Sequence, residues 1–285
     1  MTLSELKHIE SEVIALVNKV LDSVRDKSFS DYVLLLSRAG YQVENEGTYL
    51  SPYVVSSKLE IYQDMTREYF LVGYLNSYAG LLNDNVFMTD ETKAYNLNIQ
   101  MMVYAQIWES HRLLKTLQRI AGILNGGKYE WRIAFENKDR NGKSKAVAKA
   151  KVIEDKILKP LQNTFSEFAT FIANNYDSQL RNDFAHASYY IDLKRNSITS
   201  LDSEEYAIKK KTDFYDWEQM FVSSVMLSYH LPRLIKDRCN NFIKDYPNIQ
   251  SVTIDWPSYK EPGKISQILI YPHEIGGGIE FSFHK

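Results

Sequence analysis

The sequence is poor in the residues that interrupt regular structure. Its 285 residues include 12 glycines and 7 prolines, whereas these two types together make up roughly 12% of an average protein. Pro247, Pro257, Pro262, Pro272 and the glycines at 276–278 all fall near the end of the chain. We therefore predict long uninterrupted elements in most of the chain and a separate tail rich in turns.

Cysteine is almost absent as well. The single Cys239 excludes an intrachain disulfide and a metal site built from several cysteines, and it fits a reducing cytoplasm. A di-iron bundle requires two Glu-x-x-His pairs, and the chain offers one, Glu5 with His8. We therefore expect no metal and no cofactor.

Long apolar runs are also lacking. The longest uncharged stretches, 69–83 and 94–108, contain Asn, Ser or Gln and fall short of the roughly 18 apolar residues that a membrane span needs. Residues 1–12 mix charged and apolar residues, unlike a signal peptide. We expect a cytoplasmic protein without membrane contact.

No sign of charge dominates the chain. With 34 basic and 36 acidic residues the net charge is −2, which gives no overall attraction to nucleic acid or to anionic membranes. One segment, 138–159, holds eight basic and three acidic side chains. It is either a solvated helix face or a local patch that attracts nucleic acid.

Apolar residues recur at spacings of three and four over most of the chain, which is typical of amphipathic helices. Thr2 and Glu5 resemble a capping box at the first helix. Gly40 is the expected C-cap of the second, Pro160 is expected to kink or break a later helix, and Pro232 should bend the last. The helices are predicted at 3–26, 30–38, 56–82, 89–123, 146–158, 161–186 and 213–246.

The pattern at 89–123 predicts one continuous helix about 50 Å long, with Asp90 as its cap. Alternating apolar residues predict a hairpin of 189–193 with 197–201, and three strands in the tail at 252–256, 265–271 and 279–283. The expected fold is mainly α, a bundle of long helices with a small β-hairpin and a short C-terminal β appendage.

One short segment combines side chains suited to phosphate chemistry. Arg181, Asn182 and His186 lie within six residues, at the predicted junction between a helix and the hairpin. Asn182 and His186 are four residues apart and share a helix face, whereas Arg181 and His186 are about 140° apart around the helix. At a fraying helix end the guanidinium is expected to swing toward the imidazole, so that the three groups converge on one anion.

This segment resembles the motif of the HEPN family (higher eukaryotes and prokaryotes nucleotide-binding), in which Arg is followed by a polar residue and, four to six residues after the Arg, by His. The resemblance covers roughly residues 89–246, and it implies a HEPN-like helical domain there. Residues 1–88 are then an N-terminal helical extension and residues 247–285 a small β element.

The resemblance implies a metal-independent endoribonuclease, a toxin or phage-defence effector, that acts as a homodimer with two motifs facing each other across a cleft. The residues fit that chemistry. Neutral His186 can take the proton from a ribose 2′-OH, a protonated second copy of His186 can act as the acid, and Arg181 can clamp the phosphate. One histidine in each chain cannot be base and acid at once, so we expect catalysis to require dimerisation. Asn182 would orient His186 or bind the phosphate.

The expected partners are RNA, a second copy of the chain and an antitoxin or regulatory protein.

Further side chains near the motif are candidates for substrate binding. In the short toxins of this family a tyrosine that is modified by the antitoxin follows the histidine after one residue. Here Tyr189 follows after two, so that modification is not carried over. The substrate-binding candidates are Asp183, Tyr189, His111, Lys209, Lys210 and Lys211.

Two other interpretations remain open. Arg181 and Asp183 are compatible with ordinary residues of a helix end, where a protonated His186 would also be stabilised by the helix dipole. A HEPN-like helical dimer that binds nucleotide or RNA, or regulates a partner, without cutting is the main alternative to the nuclease.

Overall fold

The protein is mainly helical, with small antiparallel sheets. A computed structural model describes residues 1–46, 51–56, 65–83, 89–138, 144–201, 208–276 and 278–283. The helices are α1 (Leu3–Lys27), α2 (Phe29–Leu36), α3 (Met65–Asn83), α4 (Asp90–Glu109), α5 (His111–Leu124), α6 (Lys149–Val152), α7 (Lys159–Thr164), α8 (Ser166–Asn175), α9 (Ser178–His186), α10 (Phe214–Asn240) and α11 (Phe242–Asp245).

All the described strands pair with antiparallel neighbours. They form two two-stranded and two three-stranded sheets, in the orders β1-β2, β3-β4, β5-β6-β7 and β8-β9-β10. The strands are β1 (Gly40–Tyr41), β2 (Tyr53–Val54), β3 (Glu136–Lys138), β4 (Ser144–Ala146), β5 (Tyr189–Asp192), β6 (Ser197–Leu201), β7 (Ile208–Asp213), β8 (Val252–Pro257), β9 (Ile265–Ile275) and β10 (Gly278–Ser282).

The first helix begins where its sequence predicts. The Thr2 hydroxyl accepts from the Glu5 amide at 3.2 Å, and the Glu5 carboxylate accepts from the Thr2 amide at 2.6 Å, so the capping box is confirmed. The Thr2 amide, and the Thr2 hydroxyl at 3.0 Å, both donate to the Glu5 carboxylate and lower the pKa of Glu5 by stabilising its charged form. The buried side of α1, with Val13, Val17 and Val20, packs against α10.

The second helix ends earlier than predicted. Ser37 follows α2, and Arg38 takes the left-handed conformation with φ 52°. The Ala39 amide then donates to the Leu34 carbonyl at 3.0 Å, the closure that glycine usually provides. Gly40 lies instead in β1, so its prediction as the C-cap is wrong.

The long helix predicted at 89–123 is two helices. Ser110 leaves the helical conformation with φ −63° and ψ 115°, and its hydroxyl accepts from the Leu113 amide at 3.3 Å. Serine favours such a cap because its hydroxyl satisfies an amide that a new helix start leaves unpaired. Thr89, and not Asp90, caps the first of the two helices.

The helical segment before the hairpin is also more divided than predicted. Residues Ile153–Leu158 form a π-helix that leads directly into α7, with Pro160 in its first turn. The wider turn accommodates a residue that cannot donate a backbone hydrogen bond. The helical run continues through Pro160, so the predicted break is not there, and the chain leaves the helical conformation at Phe165 and again before Asp177.

The predicted hairpin is confirmed as β5 and β6, with Tyr189 opposite Ser200. A third strand, β7, pairs with β6 and was not predicted. The three predicted tail strands are confirmed as β8, β9 and β10. In the last long helix, α10, Pro232 lies inside the helix without ending it.

One hydrophobic core connects these elements. It includes Val20 of α1, Trp108 of α4, Trp217 of α10 and Phe281 of β10. Side chains from all three predicted domains therefore pack together, while the predicted boundaries at 88 and 246 stay predictions. Within the described residues, no helix combines the length and the hydropathy that crossing a membrane would require.

Candidate functional site

The motif lies on α9, a helix whose start is held by several contacts. The Asp177 carboxylate caps it by accepting from the Leu180 amide at 2.9 Å, and the Asp177 amide donates to the Tyr104 hydroxyl at 2.8 Å. Lys210 of β7 forms an ion pair with the same carboxylate. These contacts fasten the motif helix to α4 and to the neighbouring sheet.

Arg181 points toward the end of α4. Its Nη1 donates to Oε1 of Glu109, and Oε2 of Glu109 accepts from Nζ of Lys149 at 2.8 Å. The Arg181 and Lys149 side chains are only 14% and 15% exposed, whereas Glu109 is 38% exposed. Two cations thus share one carboxylate.

His111 lies beside this charge network. The break at Ser110 places His111 at the start of α5, two residues after Glu109. Its ring centroid is 5.0 Å from that of Phe135, and Nζ of Lys149 lies 5.8 Å from the same Phe135 ring. The structure therefore brings His111 and Arg181 into one neighbourhood, linked through Glu109 and Lys149.

His186 is the last residue of α9 and is exposed, as is Asn182 one turn before it. Within the described residues, neither side chain forms a hydrogen bond or an ion pair. Along the helix axis His186 is about 7.5 Å from Arg181. Arg181 lies in the middle of α9 and is held by Glu109, so its guanidinium has not swung toward the imidazole and the three groups do not converge in this conformation.

Asp183 and Tyr189 face other groups of the protein. Asp183 is 4% exposed and its Oδ1 accepts from Nε2 of Gln179 at 2.7 Å, so its carboxylate lies inside the fold and not on a surface open to substrate. The Tyr189 hydroxyl donates to Oδ1 of Asn98 at 2.7 Å. Its ring packs edge-on against Phe184, and burial raises the pKa of the Tyr189 hydroxyl.

The three predicted lysines lie on β7. Lys210 forms an ion pair with Asp177. Lys211 is exposed and has no ion pair with any described residue. The side chain of Lys209 lies outside the described part of the structure. Of the two lysines whose side chains are described, Lys211 is the one with an unpaired charge, and it lies next to β6, the strand that the hairpin joins to the motif.

The segment 181–187 holds features that reduce stability. Nε of Arg181 and Oδ2 of Asp183 are buried without a hydrogen-bond partner, and Ala187 closes α9 in the left-handed conformation with φ 54°. An unpaired buried polar group costs about 1–3 kcal/mol, and alanine in this conformation about 1–2 kcal/mol. A sequence selected for stability alone would not concentrate such costs here, whereas functional sites often do.

Tyr176, next to Arg181, is another residue of this region with a buried polar group. Its hydroxyl is buried against the Arg181 guanidinium without a hydrogen bond of good geometry, and burial raises its pKa while the charge and the polar contact of Arg181 oppose that rise. Six of the seven buried, unpaired side-chain atoms found in the described residues lie between Tyr176 and Thr212. Unsatisfied polarity is therefore concentrated around the motif helix and the sheet after it.

Sequence reasoning missed the residues that hold the motif in place. Glu109, Lys149 and Asn98 fix Arg181 and Tyr189 from 32 to 91 positions away in the sequence. Lys149 belongs to the basic segment 138–159 and Glu109 precedes His111, but nothing in either pattern identifies its partner. Such pairs become visible only once the helices are packed.

Comparisons with protein-family models, with curated proteins and with solved structures find no match for this chain. In the parts of the chain that are described, no three metal-ligating side chains come together.

Proposed function

We propose that the protein is a metal-independent endoribonuclease of the HEPN type, with Arg181 and His186 as its catalytic residues. The observation that carries this proposal is the arrangement on α9. An accessible histidine that has no hydrogen bond or ion pair with a described residue ends a helix whose arginine is fixed by a carboxylate, and the same seven residues carry unpaired and strained groups.

The two residues fit the steps of RNA cleavage. Exposed His186 can remove the proton from a ribose 2′-OH, and the oxygen then attacks the adjacent phosphorus and displaces the 5′-oxygen. The leaving oxygen takes a proton from an acid, and the products are a 2′,3′-cyclic phosphate and a free 5′-OH. Arg181 has five N–H donors, of which Glu109 takes one, so others remain for a phosphate.

The acid would come from a second copy of the chain. Tyr95 and Met102 on α4 are 67% and 58% exposed, and Tyr190 on β5 is 40% exposed. The hydrogen bond between Asn98 and Tyr189 joins these two elements beside His186. Exposed apolar groups near a motif are typical of an interface, and a two-fold dimer across this face would bring together two copies of His186.

The test is cleavage of total RNA in EDTA by the purified protein. His186→Ala should lower the cleavage rate by about 10²–10⁴-fold without changing stability, since His186 contacts no described residue through hydrogen bonds or ion pairs. His8→Ala is the matched control, because His8 is also exposed on a helix. Equal cleavage by the parent and by His186→Ala would eliminate the assignment.

Arg181 is tested with a more conservative substitution than alanine, because its ion pair with Glu109 contributes to the stability of the fold. Arg181→Lys keeps the charge but loses the planar fork that binds phosphate through two hydrogen bonds. It should cleave more slowly than the parent while keeping its folded structure, as checked by circular dichroism. The dimer is tested with Met102→Glu, which should yield inactive monomers, and with Val43→Glu, which is equally exposed but outside the patch.

The non-catalytic alternative has one observation in its favour. The side chain of Arg181 is 14% exposed and already paired with Glu109, as expected for a residue that supports a binding or regulatory helical dimer. In the same assay this alternative predicts that RNA or nucleotide is bound, and that no product with a 2′,3′-cyclic phosphate appears.

A further inference from the structure

A cavity lies between α3, α4 and α10. Its volume is about 630 Å³, within the range of about 300–1,000 Å³ that small-molecule sites occupy. Most of its lining is apolar, with a few polar groups among the aromatic side chains. This combination is typical of pockets that bind small organic ligands.

Aromatic rings form one wall of the cavity. Phe70, Tyr74 and Tyr78 follow one another at intervals of four residues along α3, with centroids 6.4 and 5.9 Å apart and planes inclined by 28° and 16°. Trp217 of α10 contributes a further ring, which is held by a hydrogen bond from its Nε1 to Oε1 of Gln100 at 2.8 Å. Rings held in this way favour a planar aromatic ligand.

Gly73 lies on the same wall, in the middle of α3. Glycine is among the least favourable residues inside a helix, and here neither its backbone conformation nor its surroundings require it. A Cβ at this position would meet no atom within 4 Å. A larger side chain would enter the cavity, so the glycine keeps that space open.

The lining contains two charged side chains, Glu218 and Lys93, and they differ in whether they are already paired. Glu218 accepts a hydrogen bond from the Tyr78 hydroxyl, which engages its carboxylate inside the cavity. Lys93 of α4 is exposed and has no ion pair with any of the described residues. The free charge of the lining is therefore positive, which complements an anionic group on the ligand.

We propose that this cavity binds a planar aromatic molecule that carries one anionic group. The rings lie against the accessible faces of Phe70 and Tyr74, and the anionic group lies next to Lys93. The site is separate from the motif residues, and the proposal does not depend on the ribonuclease activity.

The proposal can be tested with two fluorescent probes that share the same rings. The first is 1-anilinonaphthalene-8-sulfonate, which is anionic, and the second is N-phenyl-1-naphthylamine, which has no charge. We expect saturable binding of the anionic probe with one site per chain. Absence of saturable binding to the folded parent protein would overturn the proposal.

Two variants locate the site. Gly73→Leu fills the cavity and should weaken binding of both probes by at least about tenfold, while Gly80→Leu makes the same change on α3 outside the lining and should leave binding unchanged. Thermal unfolding verifies that both variants are folded. Equal binding by the parent and by Gly73→Leu would place the probe elsewhere and refute the site.

A third variant tests the charge and does not affect the core. Lys93→Gln should weaken the anionic probe by about tenfold and leave the uncharged probe unaffected, because it removes only the attraction to the sulfonate. If both probes lose affinity equally, or neither does, the assignment of an anionic ligand is wrong.

Discussion

The ion pair between Arg181 and Glu109 provides the sharpest test of how the motif is held. Glu109→Gln keeps the size of the side chain and removes its charge. It would leave the guanidinium of Arg181 and the ammonium of Lys149 largely buried and without their shared counter-charge. We expect the free energy of unfolding to fall.

The size of the loss follows from the exposure of the three side chains. Breaking a fully buried pair costs about 3–5 kcal/mol, whereas exposed pairs contribute about 0–1 kcal/mol. Arg181 and Lys149 are mostly buried but Glu109 is 38% exposed, so water screens part of the interaction. We therefore expect Glu109→Gln to cost about 2 kcal/mol, between these two limits.

A double-mutant cycle isolates the contact itself. Glu109→Gln and Arg181→Met are made singly and together, and urea unfolding is followed by tryptophan fluorescence. The expected coupling free energy is about 1–2 kcal/mol, because the pair is partly buried and shares one network. The exposed pair of Asp155 and Lys159, four residues apart on the surface, serves as the control cycle and should show much weaker coupling.

A coupling between Arg181 and Glu109 no larger than that of the control pair would refute this reasoning. It would mean that water or the motion of the side chains removes most of the interaction. Glu109 would then not hold Arg181 in place for a phosphate.

Three further predictions concern other parts of the fold. His230 is buried 3.0 Å from Glu10, and burial, opposed by Glu10, lowers the pKa of its imidazole. The unfolded chain therefore takes up this proton more readily, so the free energy of unfolding should decrease as the pH is lowered below about 6.5. The decrease should be smaller in His230→Gln, as measured by urea midpoints at several pH values. Ser110→Ala removes the cap on Leu113 and should cost about 1 kcal/mol in urea unfolding, whereas Ser110→Gly should cost only a few tenths; equal costs would contradict the capping role. Ala187→Gly relieves the left-handed conformation and should raise the free energy of unfolding by about 0.5–1 kcal/mol after the entropy of glycine is subtracted; a loss of stability would show that the alanine side chain contributes packing.

Much of the local structure could be predicted because its causes lie within a few residues. The capping box of Thr2 and Glu5 and the alternating strands of the hairpin and the tail depend on near neighbours. The scarcity of glycine and proline, which interrupt helices, is also a local property, and it correctly indicated a mainly helical body. Local signals failed where two of them competed, as at Ser110, where the apolar periodicity continues but the hydroxyl starts a new helix.

The sequence by itself determined the helical body, the β-rich tail and the placement of Arg181, Asn182 and His186 within six residues on one helix. Only the tertiary structure decided which charges meet. Arg181 is paired with a carboxylate 72 positions away, whereas His186 has no ion pair with any described residue, because ion pairs depend on the angles at which distant helices pack. The cavity beside Gly73 has the same origin, since it exists only where three helices come together.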